Sequence, residues 1–487
     1  MNYFKVSKFF LYISVLAIAL VTTSTLFPFI VGKYVWFRTT VDLALIAFLM
    51  GLLFSSEAET YKSRLVKFLK SPLVMAVTVF AFVFVLAGFF GFDPANSFWS
   101  NFERGEGGLQ MLHLLAFFWL LILLFRDQAD WRKIFWSSVI AGLLMVGYGV
   151  GASLKYLDAD TMQRQAPGGG VETVLTGEGG PFYQAFKDFV GAEFNERFQG
   201  SIGNPAYVAA YAIFMLFYLI FLFIYSPKRK WSFGKLVLCL LGAVFLVILY
   251  WSGTRGAFLG FVAAVVGFLG YFIYVHRPWR KWLIGGLFLV ILAVSLMITF
   301  QNTPFVKSLP ASRIFNITFA TETFSTRTIM WQIAWEGWKA RPLLGWGPEN
   351  YLQVFDRHFD IRYFSAQNGF GAWFDRAHSI YFDYLVETGA LGFLSFLSIF
   401  VILYWHLWKR IKADSEEFGR QSSQPQNRKE GVLSRADLVE TGLMVALPIA
   451  YLVQGIVLFD VLPIYINVFL FLAFASYKFS QTRLTIN

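Results

Sequence analysis

A single cysteine in 487 residues, Cys239 inside an apolar run, excludes an internal disulfide and reads as a small core residue. Charge is scarce too. Asp, Glu, Lys and Arg make up 15% of the chain against 57% hydrophobic residues, and the mean hydropathy is +0.57. An ordinary soluble domain does not have that balance, so the chain is a polytopic membrane protein. There is no Walker A sequence for ATP, and no His-Glu-x-x-His or paired Cys/His set for zinc. No cofactor or metal is therefore expected, and any reaction has to use a substrate that is already activated. The formal charge of +11 does not indicate nucleic acid, because the basic residues lie in short clusters between apolar runs, where they set orientation in a membrane.

Apolar runs are what the chain has in abundance. Twelve are long enough to cross about 30 Å of hydrocarbon, beginning with Phe9 to Val31 and Val35 to Phe54 and ending with Gly389 to Trp408, Val439 to Phe459 and Pro463 to Tyr477. The first is longer than a signal-peptide core and has no A-x-A cleavage pattern, so it reads as a retained span. Short basic segments such as Lys62 to Lys70, Lys228 to Lys235 and Arg277 to Lys281 fall between alternate runs, which predicts cytoplasmic termini. The expected fold is all-α. It has nine helices over 1–300 with an outer loop near 153–204, a large periplasmic loop with short helices over 301–388, and three helices over 389–487 with a cytoplasmic loop near 409–438. The glycine clusters Pro167 to Gly170 and Gly177 to Gly180 lack the lysine of a P-loop and read as linker, and Lys412 to Arg435 reads as disordered.

The polar stretch from Ser325 to Gly392 is where chemistry is expected. His378 follows Asp375 and Arg376; a helix starting near Asp375 would put the imidazole in its first turn, where the dipole favours a neutral base. An interfacial histidine bonding a loop would look the same. Arg255, in the turn Trp251-Ser-Gly-Thr-Arg-Gly256, presents a fork suited to phosphate oxygens or snorkels at a helix end. Arg327 begins a helix with Ser325 as N-cap, Trp331, Trp335 and Trp338 as an aromatic stripe, and Pro342 as stop. Arg104, Arg197 and Arg341 add further outer arginines beside glycines. His358 is extracytoplasmic as well. No pair of carboxylates stands out, although Glu336, Glu349, Asp375 and Glu387 are available to assist.

These residues carry a resemblance. Arg197 with Gly200 and Asn204-Pro205, Thr254-Arg255-Gly256, Arg327 with Trp331, Arg341-Pro342 with Gly345, Gly347 and Asn350, and His378-Ser379 with Tyr381, Glu387, Gly389 and Gly392 resemble the O-antigen ligase family. That family covers lipopolysaccharide O-antigen ligases, O-antigen polymerases and some protein O-oligosaccharyltransferases. The resemblance implies a GT-C-like fold of about 12 helices in the bacterial inner membrane. It implies metal-independent inverting transfer of a glycan from undecaprenyl pyrophosphate to an acceptor hydroxyl, such as that of lipid A-core, on the periplasmic face. Carried over, His378 would be the catalytic residue that deprotonates the acceptor or helps orient it, and Arg255 and Arg327 would bind the donor pyrophosphate, with Arg197 and Arg104 as additions from their own placement. Ser379 stands where the family often has Asn. A secondary transporter using Asp42 and Asp460 is the reading of another class.

Overall fold

The computed structural model describes the chain except residues 1, 102, 158–160, 166–170, 176–196, 227–231, 308–311, 316–321, 365–372, 424–433 and 483–487. It is helical: α1 Tyr3–Ser14 with a 3-10 extension Val15–Ala19, α2 Val31–Phe54, α3 Ala58–Leu69, α4 Pro72–Phe89, α5 Pro94–Trp99, α6 Gly108–Leu124 and α7 Gln128–Leu157. After them come α8 Pro205–Ile224, α9 Phe233–Trp251, α10 Arg255–Val275, α11 Arg280–Thr299, α12 Glu322–Ala340, α13 Tyr351–Arg357, α14 Ile380–Ser423, α15 Arg435–Gln454 and α16 Leu462–Thr482. Ten of these are long and apolar enough to cross a membrane, and α6 is a shorter apolar helix.

Local chemistry sets several boundaries. Pro72 and Pro205 stand at first-turn positions, where no backbone donor is needed, and Asn204 caps α8 through its side chain onto Ala206 N. Ser434 and Asp437 form a reciprocal capping box at the start of α15. A single large core runs through the bundle, with Trp131, Phe135, Tyr218 and Phe474 stacked edge and face against one another. A second, smaller core of Met330, Ile333, Trp346, Tyr351, Phe355, Ala377 and Val386 packs the segments between α11 and α14 onto the start of α14.

Several expectations change. The first apolar run is not one span, because the helix starts at Tyr3, ends at Ala19, and gives way to turns before Val31. Ser325 lies inside α12, which already begins at Glu322, so it is not an N-cap. Ahead of Gly389, the expected start of the tenth span, a further helical stretch begins at Ile380, and the two helical stretches of α14 meet at Gly389, whose backbone is non-helical (φ 64°). The same helix continues to Ser423, so the first part of the segment read as disordered is helical. Cys239 is exposed on α9, a helix that buries only four side chains, and is not a core residue. Within the segment 153–204 a short antiparallel hairpin pairs Thr161–Gln165 with Val171–Leu175. Both glycine clusters there lie outside the described residues, as does the segment 424–433.

The bundle has two chemically distinct ends. Lys8 pairs with Asp130 at 2.6 Å and Lys67 Nζ donates to Ser480 O at one end. Arg104, Arg197, Arg255, Arg376 and His378 all lie at the other.

Candidate active site

Three turns at that second end meet. The first, between α9 and α10, is shaped by Gly253 at φ 59° and is held by Arg197, which donates from Nε to Ser252 O and from Nη2 to Thr254 Oγ1, both at 2.7 Å. Arg255 therefore sits on the first turn of a 21-residue helix, on a loop fixed from outside. The second turn, 455–461, packs against it so closely that a Cβ on Gly256 would stand 2.6 Å from Val457 Cγ2. The third leads into α14: Ile380 N donates to Gly455 O and Leu458 O, each at 3.0 Å.

His378 sits where the last two turns join. It is not in a helical first turn; it precedes α14 with a left-handed backbone (φ 59°). Its ring lies 5.2 Å from that of Phe459 and 5.1 Å from that of Phe374, nearly perpendicular to both. Burial pushes its pKa down to about 4, with the charges of Arg327 and Arg104 acting in the same direction and the Arg376 carbonyl and Asp375 against it. The neutral imidazole expected from the sequence is thus present, but desolvation and not a helix dipole keeps it neutral. Nδ1 lies 3.0 Å from the carbonyl oxygen of Arg376. Because that oxygen only accepts, the neutral ring carries its proton on Nδ1 and Nε2 keeps a lone pair.

The other sequence candidates divide. Arg327 lies near enough to His378 to influence its ionisation, whereas Arg255 is linked to it only indirectly, its neighbour Gly256 packing on Val457 in the turn whose Phe459 meets the imidazole. Arg104 also reaches the site, but its guanidinium is engaged with Asp375 at 2.6 and 2.9 Å and lies 5.2 Å over Phe459. Burial opposes ionisation of Asp375, yet the Arg104 bonds keep its carboxyl below the usual range. Glu336 pairs with Lys339 on an exposed stretch of α12, away from this assembly.

Beneath His378 lies a cluster that the sequence did not disclose. Arg376 donates from Nη1 to both oxygens of Glu387 (2.9 and 3.1 Å) and from Nη2 to Glu106 (3.3 Å) and Glu349. Glu106 also accepts from Leu462 N at 3.0 Å, and Glu349 from Ser100 Oγ at 2.8 Å. Burial pushes Glu106 up to about 8, against the pull of Arg376. Only the run Asp375-Arg376-Ala377-His378 hinted at such a charged cluster, and its acidic partners lie up to 270 residues away.

Residues 240–397 match the family described as O-antigen ligase. The match covers about a third of the chain, and over that segment the chain is similar to O-antigen ligases. The matched segment runs from α9 into α14 and contains Arg255, Arg327, Arg376 and His378; Arg104 and Arg197 lie before it. No curated protein matches the chain. The described residues thus combine ten helices long and apolar enough to cross a membrane with a segment similar to O-antigen ligases.

Proposed function

We propose that this enzyme transfers a glycan from an undecaprenyl-pyrophosphate donor to a hydroxyl of lipid A-core on the periplasmic side of the inner membrane, without a metal. The observation that carries the reading is the fixed His378 tautomer, whose Nε2 is unprotonated beside the arginine-bearing turns. In the step, the acceptor hydroxyl gives its proton to Nε2 while its oxygen bonds to the anomeric carbon. The bond from that carbon to the phosphate oxygen breaks, and undecaprenyl pyrophosphate departs with the electron pair. Direct displacement inverts the anomeric centre. Arg255 and Arg327 offset the charge gathering on the leaving diphosphate. Arg197 serves that site by holding the Arg255 turn, and Arg104 by holding Asp375 next to Arg376.

The test is reconstitution of the full chain in vesicles with undecaprenyl-pyrophosphate-linked glycan and three acceptors: lipid A-core, a second lipid-linked glycan, and a pilin-like protein. Glycosylated lipid A-core is the expected product. Product on another acceptor alone would replace the acceptor assignment, and solute flux without transfer would replace the enzyme reading.

A further inference from the structure

Two guanidiniums share one indole on the outer side of the smaller core. The Cζ atoms of Arg341 and Arg357 lie 4.9 and 5.0 Å from the centroid of the Trp346 ring, and Arg357 is also 4.8 Å from that of Phe92. His358 meets the same indole edge-on at 6.4 Å. Neither guanidinium makes an ion pair or hydrogen bond with another described residue. Attraction to an aromatic face contributes only about 0.5–1 kcal/mol at exposed positions, and two like charges gathered on one ring repel each other. The arrangement gains most from an anion that takes donors from both forks.

The platform is rigid and its surroundings are apolar. Trp346 N donates to Val386 O at 3.0 Å, its carbonyl accepts from Phe92 N at 2.6 Å, and its Nε1 donates to Gly337 O at 2.7 Å. Around it Phe89, Phe90, Phe92 and Leu343 are 59%, 66%, 41% and 66% exposed. These residues belong to the end of α4 and to the segment against the Gly389 interruption of α14, where two spanning helices emerge. Unneutralised forks beside exposed apolar side chains at helix ends match a phosphate attached to a lipid. A soluble phosphate would leave the apolar surface unused.

We propose that Arg341 and Arg357 bind the phosphate of the acceptor, which is then a phosphorylated glycolipid lying in the membrane. This rests on His378 as the base of the transfer. Val386, bonded to Trp346, lies six residues into α14 from Ile380, on the order of 9 Å at helical rise, with His378 two residues before that start. A headgroup of a few sugars anchored by its phosphate spans that distance and brings a hydroxyl to Nε2.

The experiment uses the full chain in nanodiscs, with a phosphorylated glycolipid acceptor and its dephosphorylated form, comparing the wild type with R341Q/R357Q and R341K/R357K. The glutamine pair is expected to raise the KM for the phosphorylated acceptor about tenfold or more. It should leave kcat and the donor KM within about twofold and change nothing for the dephosphorylated acceptor, and the lysine pair should retain most of the affinity. An unchanged acceptor KM, or an equal loss with both acceptors, would overturn the proposal. Native mass spectrometry of glycolipid retained by His378→Ala protein separates the two readings. Arg-dependent retention with transfer that ignores His378 sinks the base and leaves the phosphate site standing; His378-dependent transfer with Arg-independent retention sinks the site alone. Equal retention of phosphatidylglycerol or of inorganic phosphate would show a general anion site and overturn the acceptor assignment.

Discussion

His378 Nδ1 and the Arg376 carbonyl oxygen are 3.0 Å apart, and that one contact assigns the two ring nitrogens different roles. The donor is Nδ1, so the nitrogen left with a lone pair is Nε2. His378→Asn keeps a residue that tolerates the left-handed backbone at φ 59° but has no basic nitrogen. We expect transfer to fall about 10²–10⁴-fold in vesicle assays, with an unchanged elution profile in detergent. Wild-type rates in this variant would remove His378 from the reaction.

The pH dependence has two opposing parts. The folded-state pKa of His378 is lowered from 6.5 to about 4, so the native state binds fewer protons than the unfolded chain between those values, and stability rises with pH up to 6.5. That of Glu106 is raised from 4.5 to about 8, so the native state binds more protons there, and stability falls as pH rises through that window. Above pH 6.5 only the Glu106 slope remains of the two. Melting temperature should decline from pH 6.5 to about 8 in the wild type and less steeply in Glu106→Gln. Activity should stay level down to about pH 5 and drop below it as Nε2 is protonated.

Arg376→Met leaves Glu106, Glu349 and Glu387 buried without their shared cation. Breaking a buried ion pair in this way costs about 3–5 kcal/mol, which thermal denaturation of the purified protein should register. Glu349→Gln, which removes one negative charge and keeps the shape, should cost far less.

Arg197 acts on the Arg255 turn through two hydrogen bonds of 2.7 Å. Bonds from a charged donor contribute about 1.5–3 kcal/mol, so Arg197→Ala should lower donor kcat/KM by about one to two orders of magnitude. Hydrogen exchange at residues 252–256 should accelerate in the same variant. Slow exchange in that turn would mean that other contacts fix it.

Gly389→Ala tests the interruption of α14. The glycine has φ 64°, and a Cβ there would stand 2.3 Å from Leu343 O. Backbone strain of about 1–3 kcal/mol and displacement of the Leu343 carbonyl are expected, seen as a lower melting temperature and weaker binding at the neighbouring Arg341.

Hydropathy made the helical class and most spans legible, because 20-residue apolar stretches have few other structures open to them. It failed where a run contained an internal break, as at Leu20, or where apolar and polar residues share one helix, as at Ile380–Ser423. His378, Arg255 and Arg327 stand out in the sequence because a charged or basic group at the lip of an apolar segment is unusual. The partners of Arg376 do not. Glu106 lies on a loop between α5 and α6, and nothing in the spacing of two residues 270 apart records that they touch. The neutrality of His378 was foreseen for a reason that does not hold: burial depends on Phe374 and Phe459, and only the folded chain brings Phe459 to the ring.

The bond from Leu462 N to Glu106 Oε1 has a consequence for biosynthesis. Glu106 leaves the ribosome 356 residues before Leu462, so the charged knot beside His378 stays open until the chain at Leu462 has been made and inserted. A nascent chain arrested before Leu462 holds His378 and Arg376 without the tie that completes the cluster around them.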